Sequence, residues 1–320
     1  MSIMATLTVS SEDEKRVKAL GFLSNKGTDN FSGRVITVNG KITAAKLKCI
    51  AKAAEIYGNG VVTMTTRLTI ECQGIPYDKI EDFRNYIAKE GLSTGGTGSK
   101  VRPVVSCKGT TCQYGLIDTF ALSEEIHKRF YEGYADVKLP HKFKIAIGGC
   151  PNNCVKPDLN DLGIIGQRIP DFDEESCNGC KKCSVEQSCP MKAAKVTDGI
   201  LKIDTAICNN CGRCIGKCNF DAIEGGTTGY KIYIGGRWGK NTVKGRALHK
   251  IFTDKKEALS IIEKAILFYR ENGKTGERFA KTIERIGFEN VESQLLSDEI
   301  LKRKQEILEA KLHLTGGATC

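Results

Sequence analysis

The chain has 320 residues, 34 glycines, 15 cysteines, one tryptophan and a formal charge of +10 from 48 Lys+Arg against 38 Asp+Glu. Its length fits one large domain or two to three small ones, with 40% hydrophobic residues to build the core. No apolar run approaches the ~18 to 20 residues that cross a bilayer, and the opening MSIMATLTVSSEDEKR has no charged segment ahead of an apolar stretch, so neither a membrane span nor a secretory signal is expected.

Residues 41–57 carry Leu47, Ile50, Ala51, Ala54 and Ile56 at helical spacing, and Gly58-Asn59-Gly60 stops the helix. Residues 61–72 alternate β-branched side chains and read as a strand; residues 78–90, ending before Gly91, read as a second helix. Alternation of this kind makes residues 30–92 one small open-faced α/β unit. After the turn-rich stretch 94–99, residues 116–129 are expected to be helical and 141–147 to form a strand. On such a strand Lys142 and Lys144 share one face about 6.6 to 7 Å apart, with His141, Phe143, Ile145 and Ile147 on the other. Residues 230–234 alternate as a returning strand. Thr253-Asp254, with Glu257 three after Asp254, caps a helix that ends at Gly273, and amphipathic helix continues to about residue 314. The tail Gly-Gly-Ala-Thr-Cys320 reads as flexible with an exposed thiol, while Cys49 and Cys72 read as core or edge residues.

Twelve of the fifteen cysteines lie between Cys107 and Cys218. An odd number, a density below that of small disulfide scaffolds and an expected cytoplasmic location all favour thiolates held for metal. The densest stretch is a tandem repeat: Cys177-Asn-Gly-Cys180-Lys-Lys-Cys183 with Cys189-Pro190, then Cys208-Asn-Asn-Cys211-Gly-Arg-Cys214 with Cys218. Three cysteines at intervals of three let one loop present three thiolates to a cubane, and the fourth of each run is expected to ligate the other cluster. Two 4Fe-4S clusters follow, one on Cys177, Cys180, Cys183 and Cys218, the other on Cys208, Cys211, Cys214 and Cys189. Structural zinc is the rival, but zinc sites close with two Cys pairs or with His, and no His lies between Cys177 and Cys218. The runs resemble bacterial two-cluster ferredoxins, with a longer loop between Cys183 and Cys189.

Upstream, Cys107-Lys-Gly-Thr-Thr-Cys112 and Gly148-Gly149-Cys150-Pro-Asn-Asn-Cys154 supply four more thiolates in two loops, enough for a third cubane. Together with Val62-Thr-Met-Thr-Thr-Arg67, Gly74-Ile75, Thr94-Gly-Gly-Thr-Gly98 before Arg102, Leu139-Pro140-His-Lys142-Phe-Lys144 and Ile234-Gly-Gly-Arg237, these pairs resemble the siroheme-dependent nitrite and sulfite reductase family over residues 30–290. A ferredoxin module inside a single reductase repeat is most similar to the C-subunit type of anaerobic sulfite reductase. One departure is the first pair, with four residues between its cysteines where better-known members have five.

The resemblance implies an α/β (α+β) fold: a ferredoxin-like half-domain at 1–92, a siroheme and 4Fe-4S domain at 93–170, a two-cluster ferredoxin module at 171–226, and the rest of the siroheme domain with C-terminal helices at 227–320. It implies siroheme and three 4Fe-4S clusters, with Cys154 as the thiolate shared between cubane and siroheme iron, Arg102 on a siroheme carboxylate, and Arg67, Lys142 and Lys144 on the substrate oxyanion. Larger members contain two such halves, so this chain is expected to form a two-fold dimer or to pair with a similar subunit, each siroheme meeting the neighbour's basic residues. An electron-donor subunit or soluble reductant completes the partners.

The favoured activity is six-electron reduction of sulfite to sulfide. The rivals are nitrite reduction to ammonia on the same cofactors and a non-catalytic electron carrier that has lost siroheme. Nucleic-acid binding is disfavoured because Lys and Arg are dispersed without aromatic interleaving. Three oxidised clusters bring about −6 and the siroheme carboxylates about −8, so the basic excess reads as a counterweight to cofactors.

Overall fold

The structure is a computed structural model and describes residues 9–313. Ser10 caps α1 (Ser11–Ala19) by accepting from Asp13 N. There follow β1 (Phe22–Ser24), β2 (Asn30–Val35), α2 (Ala44–Tyr57), β3 (Val62–Met64), β4 (Ile70–Pro76) and α3 (Ile80–Ala88). The strands form an antiparallel sheet in the order β1-β2-β4-β3. Ile50, Ala53 and Ala54 of α2 and Ile80, Phe83 and Ile87 of α3 pack into one core with Phe22, Phe31 and Ile75. Thr43 is the N-cap of α2, so the helix starts three residues later than its apolar spacing indicates. The strand expected over 61–72 is two strands, β3 and β4, separated by a tight turn in which Leu68 takes φ 60°. Arg67 therefore sits at a hairpin tip.

A second sheet comprises β5 (Val105–Ser106), β6 (Ile145–Gly148), β7 (Leu162–Pro170), β10 (Gly226–Ile234) and β11 (Arg246–Phe252), in the order β11-β10-β7-β6-β5. Strands β5, β6 and β7 are parallel, while β10 pairs antiparallel with both β7 and β11. All four residues of β6 are buried, as expected for a strand covered on both faces. One cover is α4 (Thr119–Ile126), capped by Asp118 and continued by a π-helical stretch, His127–Glu132. A second helix, α6 (Lys255–Asn272), capped by Asp254, packs on β10 and β11, with Ala258, Leu259, Ile262, Ile266 and Tyr269 buried in the main core.

The long C-terminal amphipathic stretch is broken into α7 (Phe279–Ile286), α8 (Phe288–Leu296), α9 (Glu299–Lys302) and α10 (Lys304–Glu309). The tail with Cys320 lies outside the described residues.

Pro170 at the end of β7 pairs directly with Gly226 at the start of β10. Residues 171–225 thus leave the sheet and return to the same point, and they contain α5 (Ser184–Ser188) with the hairpin of β8 (Ala194–Thr197) and β9 (Ile200–Ile203). Their small core of Val185, Ala194, Leu201 and Ile223 is lined by Cys177, Cys183, Cys189, Cys214 and Cys218.

Candidate active site

Because β5 and β6 run parallel, the loops that follow them emerge at the same end of the sheet, and these loops carry Cys107 and Cys150. Cys107 N donates to Ile147 O at 3.0 Å and Leu116 N to Gly149 O at 2.9 Å; Gly149 N donates to Cys107 Sγ at 3.1 Å. The approach needs glycine on both sides. A Cβ on Gly149 would stand 2.8 Å from Gly109 Cα and 3.4 Å from Cys107 Sγ. A short 3-10 turn, Gly109–Thr111, brings Cys112 round to the group and takes up the unusual four-residue spacing. Burial pushes the Cys150 thiol up, and Cys107, Cys154 and Cys112 push it the same way, so the four sulfurs share one neighbourhood. Asn153 in this loop takes φ 56°, and its Oδ1 is buried without a hydrogen-bond partner.

In the excursion, Cys189, Cys208, Cys211 and Cys214 all line one small enclosed cavity. Burial pushes Cys214 up to about 11, with Cys208, Cys211 and Cys189 adding to the effect. Backbone N–H groups point at sulfur: Ala193 to Cys189 at 3.3 Å, Asn210 to Cys208 at 3.4 Å and Leu201 to Cys177 at 3.4 Å. At Cys189 burial raises the thiol pKa, but the N–H groups of Ala194, Ala193, Met191 and Lys192 outweigh it and the net shift is downward. Such donors favour thiolate, the form that ligates iron. Among the described residues no three Cys, His, Asp or Glu converge as ligands of a single ion do. The donor sets, all sulfur, glycine-lined and met by backbone N–H, fit iron–sulfur cubanes.

The basic residues gather at the opposite end of the same strands. Arg67 reaches from its hairpin tip to Pro103 O at 2.7 Å, Ile145 O at 3.1 Å and Asn160 Oδ1 at 3.0 Å, while its buried Nε has no hydrogen-bond partner. Burial lowers its pKa to about 10; Asp161 opposes the shift, and Arg102, Arg34 and Arg278 add to it. Lys144 is half-buried and held at about 8, mainly by burial and then by Arg67 and Arg278, with Lys142 adding. His141, held near 4 by burial and then by Lys142, Arg278, Arg102 and Arg237, is neutral at pH 7. Arg102 Nη1 donates to Gly96 O.

The strand expected over 141–147 begins only at Ile145. Lys142 and Lys144 instead lie in the entry segment, where an isolated bridge joins Phe143 to Val101, because His141 Nδ1 accepts from Lys142 N at 2.7 Å and Asp161 Oδ2 from Lys144 N at 2.9 Å. Side-chain acceptors take the N–H groups of Lys142 and Lys144 there, while Phe143 keeps backbone partners in Lys100 and Arg102. Asp161 and Arg278, which complete this end, belong to no local motif and were not predicted from the sequence.

The family description "Nitrite and sulphite reductase 4Fe-4S domain" matches residues 97–304, and "Nitrite/Sulfite reductase ferredoxin-like half domain" matches residues 24–90. The chain belongs to the nitrite and sulfite reductase family. It is 35% identical to the coenzyme F420-dependent sulfite reductase of Methanocaldococcus jannaschii over 76% of this chain and 38% of that protein. To the anaerobic sulfite reductase C-subunit of Salmonella typhimurium it is 31% identical over 46% of this chain and 47% of the other. The chain therefore spans less than half the length of either relative. In fold it is similar to the crystal structure of dissimilatory sulfite reductase I, with TM-score 0.66 and 23% identity over 83% of this chain and 69% of the other. No helix among the described residues is long and apolar enough to cross a membrane.

Within this reductase family member the sequence-predicted residues fall into three groups. Cys107, Cys112, Cys150 and Cys154 gather at one end of β5 and β6. Arg67, Arg102, Lys142 and Lys144 gather at the other. The remaining eight cysteines occupy the excursion.

Proposed function

We propose that this reductase reduces sulfite to sulfide on a siroheme coupled to a 4Fe-4S cluster held by Cys107, Cys112, Cys150 and Cys154, in a protein of the cytoplasm. Cys154, the exposed member of the set, is the thiolate available to a siroheme iron. Cys177, Cys180, Cys183 and Cys218, and Cys189, Cys208, Cys211 and Cys214, would hold two ferredoxin-type clusters, which would supply electron transfer from a donor subunit or soluble reductant. When bound, siroheme supplies the electron-rich metal on which an oxyanion sheds oxygen. The chain supplies fixed charge and protons. Arg67, anchored by three acceptors, holds positive potential at the site, and its Nε is left for an anion. Lys144, with a pKa of about 8, is matched to giving up a proton near neutral pH. Arg102 is assigned to a siroheme carboxylate.

The observation that carries this reading is the buried group of cations around Lys144, within one another's field and close to the counter-charge of Asp161. Uncompensated buried charge is costly unless an anion shares it. A carrier that had lost its catalytic role would have no use for it. Nitrite reduction to ammonia is the second reading, since the family unites both substrates and both are small oxyanions.

The separation of the two ends of β6 supports a two-fold dimer or pairing with a similar subunit. Ile145 O meets Arg67, and Gly149 N meets Cys107; the four residue steps between them span about 13 Å. One siroheme is therefore served by the cysteines of one copy and by Arg67, Lys142 and Lys144 of a second copy or similar subunit.

A visible spectrum of anaerobically purified protein, with turnover by a reduced viologen on sulfite and on nitrite, tests the assignment. A siroheme band with faster sulfite turnover is expected. Absence of the band supports the carrier, and faster nitrite turnover reverses the substrate. Replacing both Lys142 and Lys144 by Ala is expected to spare cofactor loading and abolish most turnover.

A further inference from the structure

The cysteine sets of the excursion are not equivalent in position. Resting on the cluster assignment proposed above, we infer that Arg213 and Tyr114 are positioning residues that lock the Cys189, Cys208, Cys211 and Cys214 set against the Cys150 loop. This makes it the inner set and leaves Cys177, Cys180, Cys183 and Cys218 as the outer one.

A cleft of about 470 Å³ separates the two loops, with Tyr114, Cys150 and Asn152 on one wall and Met191, Cys211 and Arg213 on the other. The Arg213 guanidinium spans it, 5.8 Å from the centre of the Tyr114 ring, within range for a cation–π contact. Tyr114 and Met191 are 46% and 41% exposed, so large side chains from both walls stand open towards the cleft. Asn209, whose buried Oδ1 has no hydrogen-bond partner, lines both this cleft and the cavity shared by the four inner cysteines.

The inner loop is also fastened to the sheet. Arg168 N donates to Asn210 O at 2.8 Å, Arg168 bridges Cys211, and a Cβ on Gly212 would stand 2.9 Å from Arg168 Cβ. Arg168 lies on β7, which pairs with β6, and β6 ends two residues before Cys150. The sheet thus anchors the inner loop at Asn210 and Cys211, and Arg213, beyond that anchor, reaches across the cleft to Tyr114. Cys177, by contrast, receives its N–H from Leu201 on the β8–β9 hairpin, beyond the sheet.

The test uses the full chain, anaerobically loaded and fully reduced, and reads the magnetic interaction between neighbouring clusters by EPR alongside iron and acid-labile sulfide content. Arg213→Ala is expected to keep wild-type iron and lose the interaction broadening of the signal from the Cys107, Cys112, Cys150 and Cys154 cluster. Arg213→Lys, which keeps a cation over the ring, is expected to restore it, and Lys217→Ala beside the outer set to leave it intact. Should Arg213→Ala lose iron, Tyr114→Leu on the opposite wall carries the same expectation. Unchanged broadening in fully loaded Arg213→Ala or Tyr114→Leu overturns the inference while leaving the cofactor assignment standing. Wild-type protein lacking the iron of three cubanes overturns that assignment, and the inference with it.

Discussion

Asp161 and Arg278, 117 positions apart in the chain, meet in a buried pair: Arg278 Nη2 donates to both carboxylate oxygens, at 2.9 and 2.8 Å. The same carboxylate accepts from Lys144 N, and Asp161 O accepts from Gly235 N at 2.9 Å. One acidic residue thus joins the start of α7, the turn after β10 and the lysine segment of the site.

Asp161→Asn is expected to cost about 3–5 kcal/mol, because removing one partner of a buried pair strands the other charge. Equilibrium denaturant unfolding checks this. A loss below about 1 kcal/mol would show that Arg278 finds another anion.

Lys144 gives the protein two opposed pH dependences. Its folded pKa of about 8 lies below the ordinary 10.5 because of burial first and neighbouring cations second. Between those values the unfolded chain binds a proton that the folded chain does not, so this group's contribution to stability rises with pH across that window. Anion affinity runs the other way, since the protonated amine is lost as pH climbs past 8. Sulfite binding titrated at a series of pH values is expected to weaken there, and Lys144→Arg, which stays charged, to carry tight binding further into alkali. Identical alkaline limbs in the two proteins would remove Lys144 from the site.

Gly149→Ala drives a methyl to 2.8 Å from Gly109 Cα and 3.4 Å from Cys107 Sγ. Overpacking against backbone costs about 1–3 kcal/mol, and here the displaced backbone carries Cys107 and Cys150. The variant is expected to lose the cluster of this set and any siroheme coupled to it, while retaining the signals of the excursion. Iron analysis with EPR distinguishes that from general unfolding.

Cys214→Ser removes a thiol from the cavity shared with Cys189, Cys208 and Cys211 and is expected to reduce iron content by one cluster. Cys49→Ser is the matching control, since Cys49 packs on the core that contains Cys72 and none of the twelve proposed ligands, and it is expected to lose none. Equal iron loss in both variants would contradict the assignment of ligands.

What was legible in the sequence is what depends on local spacing. The intervals of three among Cys208, Cys211 and Cys214 bring those thiols into one cavity with Cys189, as their repeat indicates. The capping Asp254 and the stop at Gly273 bound α6 as read. The two misread strands share a physical cause, a side chain standing in for a strand partner. His141 and Asp161 occupy backbone donors before Ile145, so the alternation of residues 141–147 is real as a pattern but not as a ladder. Thr65 Oγ1 accepts from Arg67 N and Thr69 N at the tip between β3 and β4, which splits an apparently continuous strand. Asp161 and Arg278 were invisible because a pair so far apart in the chain leaves no trace in spacing.

The single tryptophan, Trp238, is 62% exposed and has the Lys156 amine 5.5 Å from its ring, in the loop that follows the Gly235-Gly236 turn. Lys156 stands two positions after Cys154. The molecule therefore carries a built-in optical gauge: fluorescence from one indole reports on the mouth of the Cys154 loop, with no second tryptophan to blur the signal. Titrating a coloured tetrapyrrole into the protein becomes an occupancy measurement that needs neither turnover nor an added label.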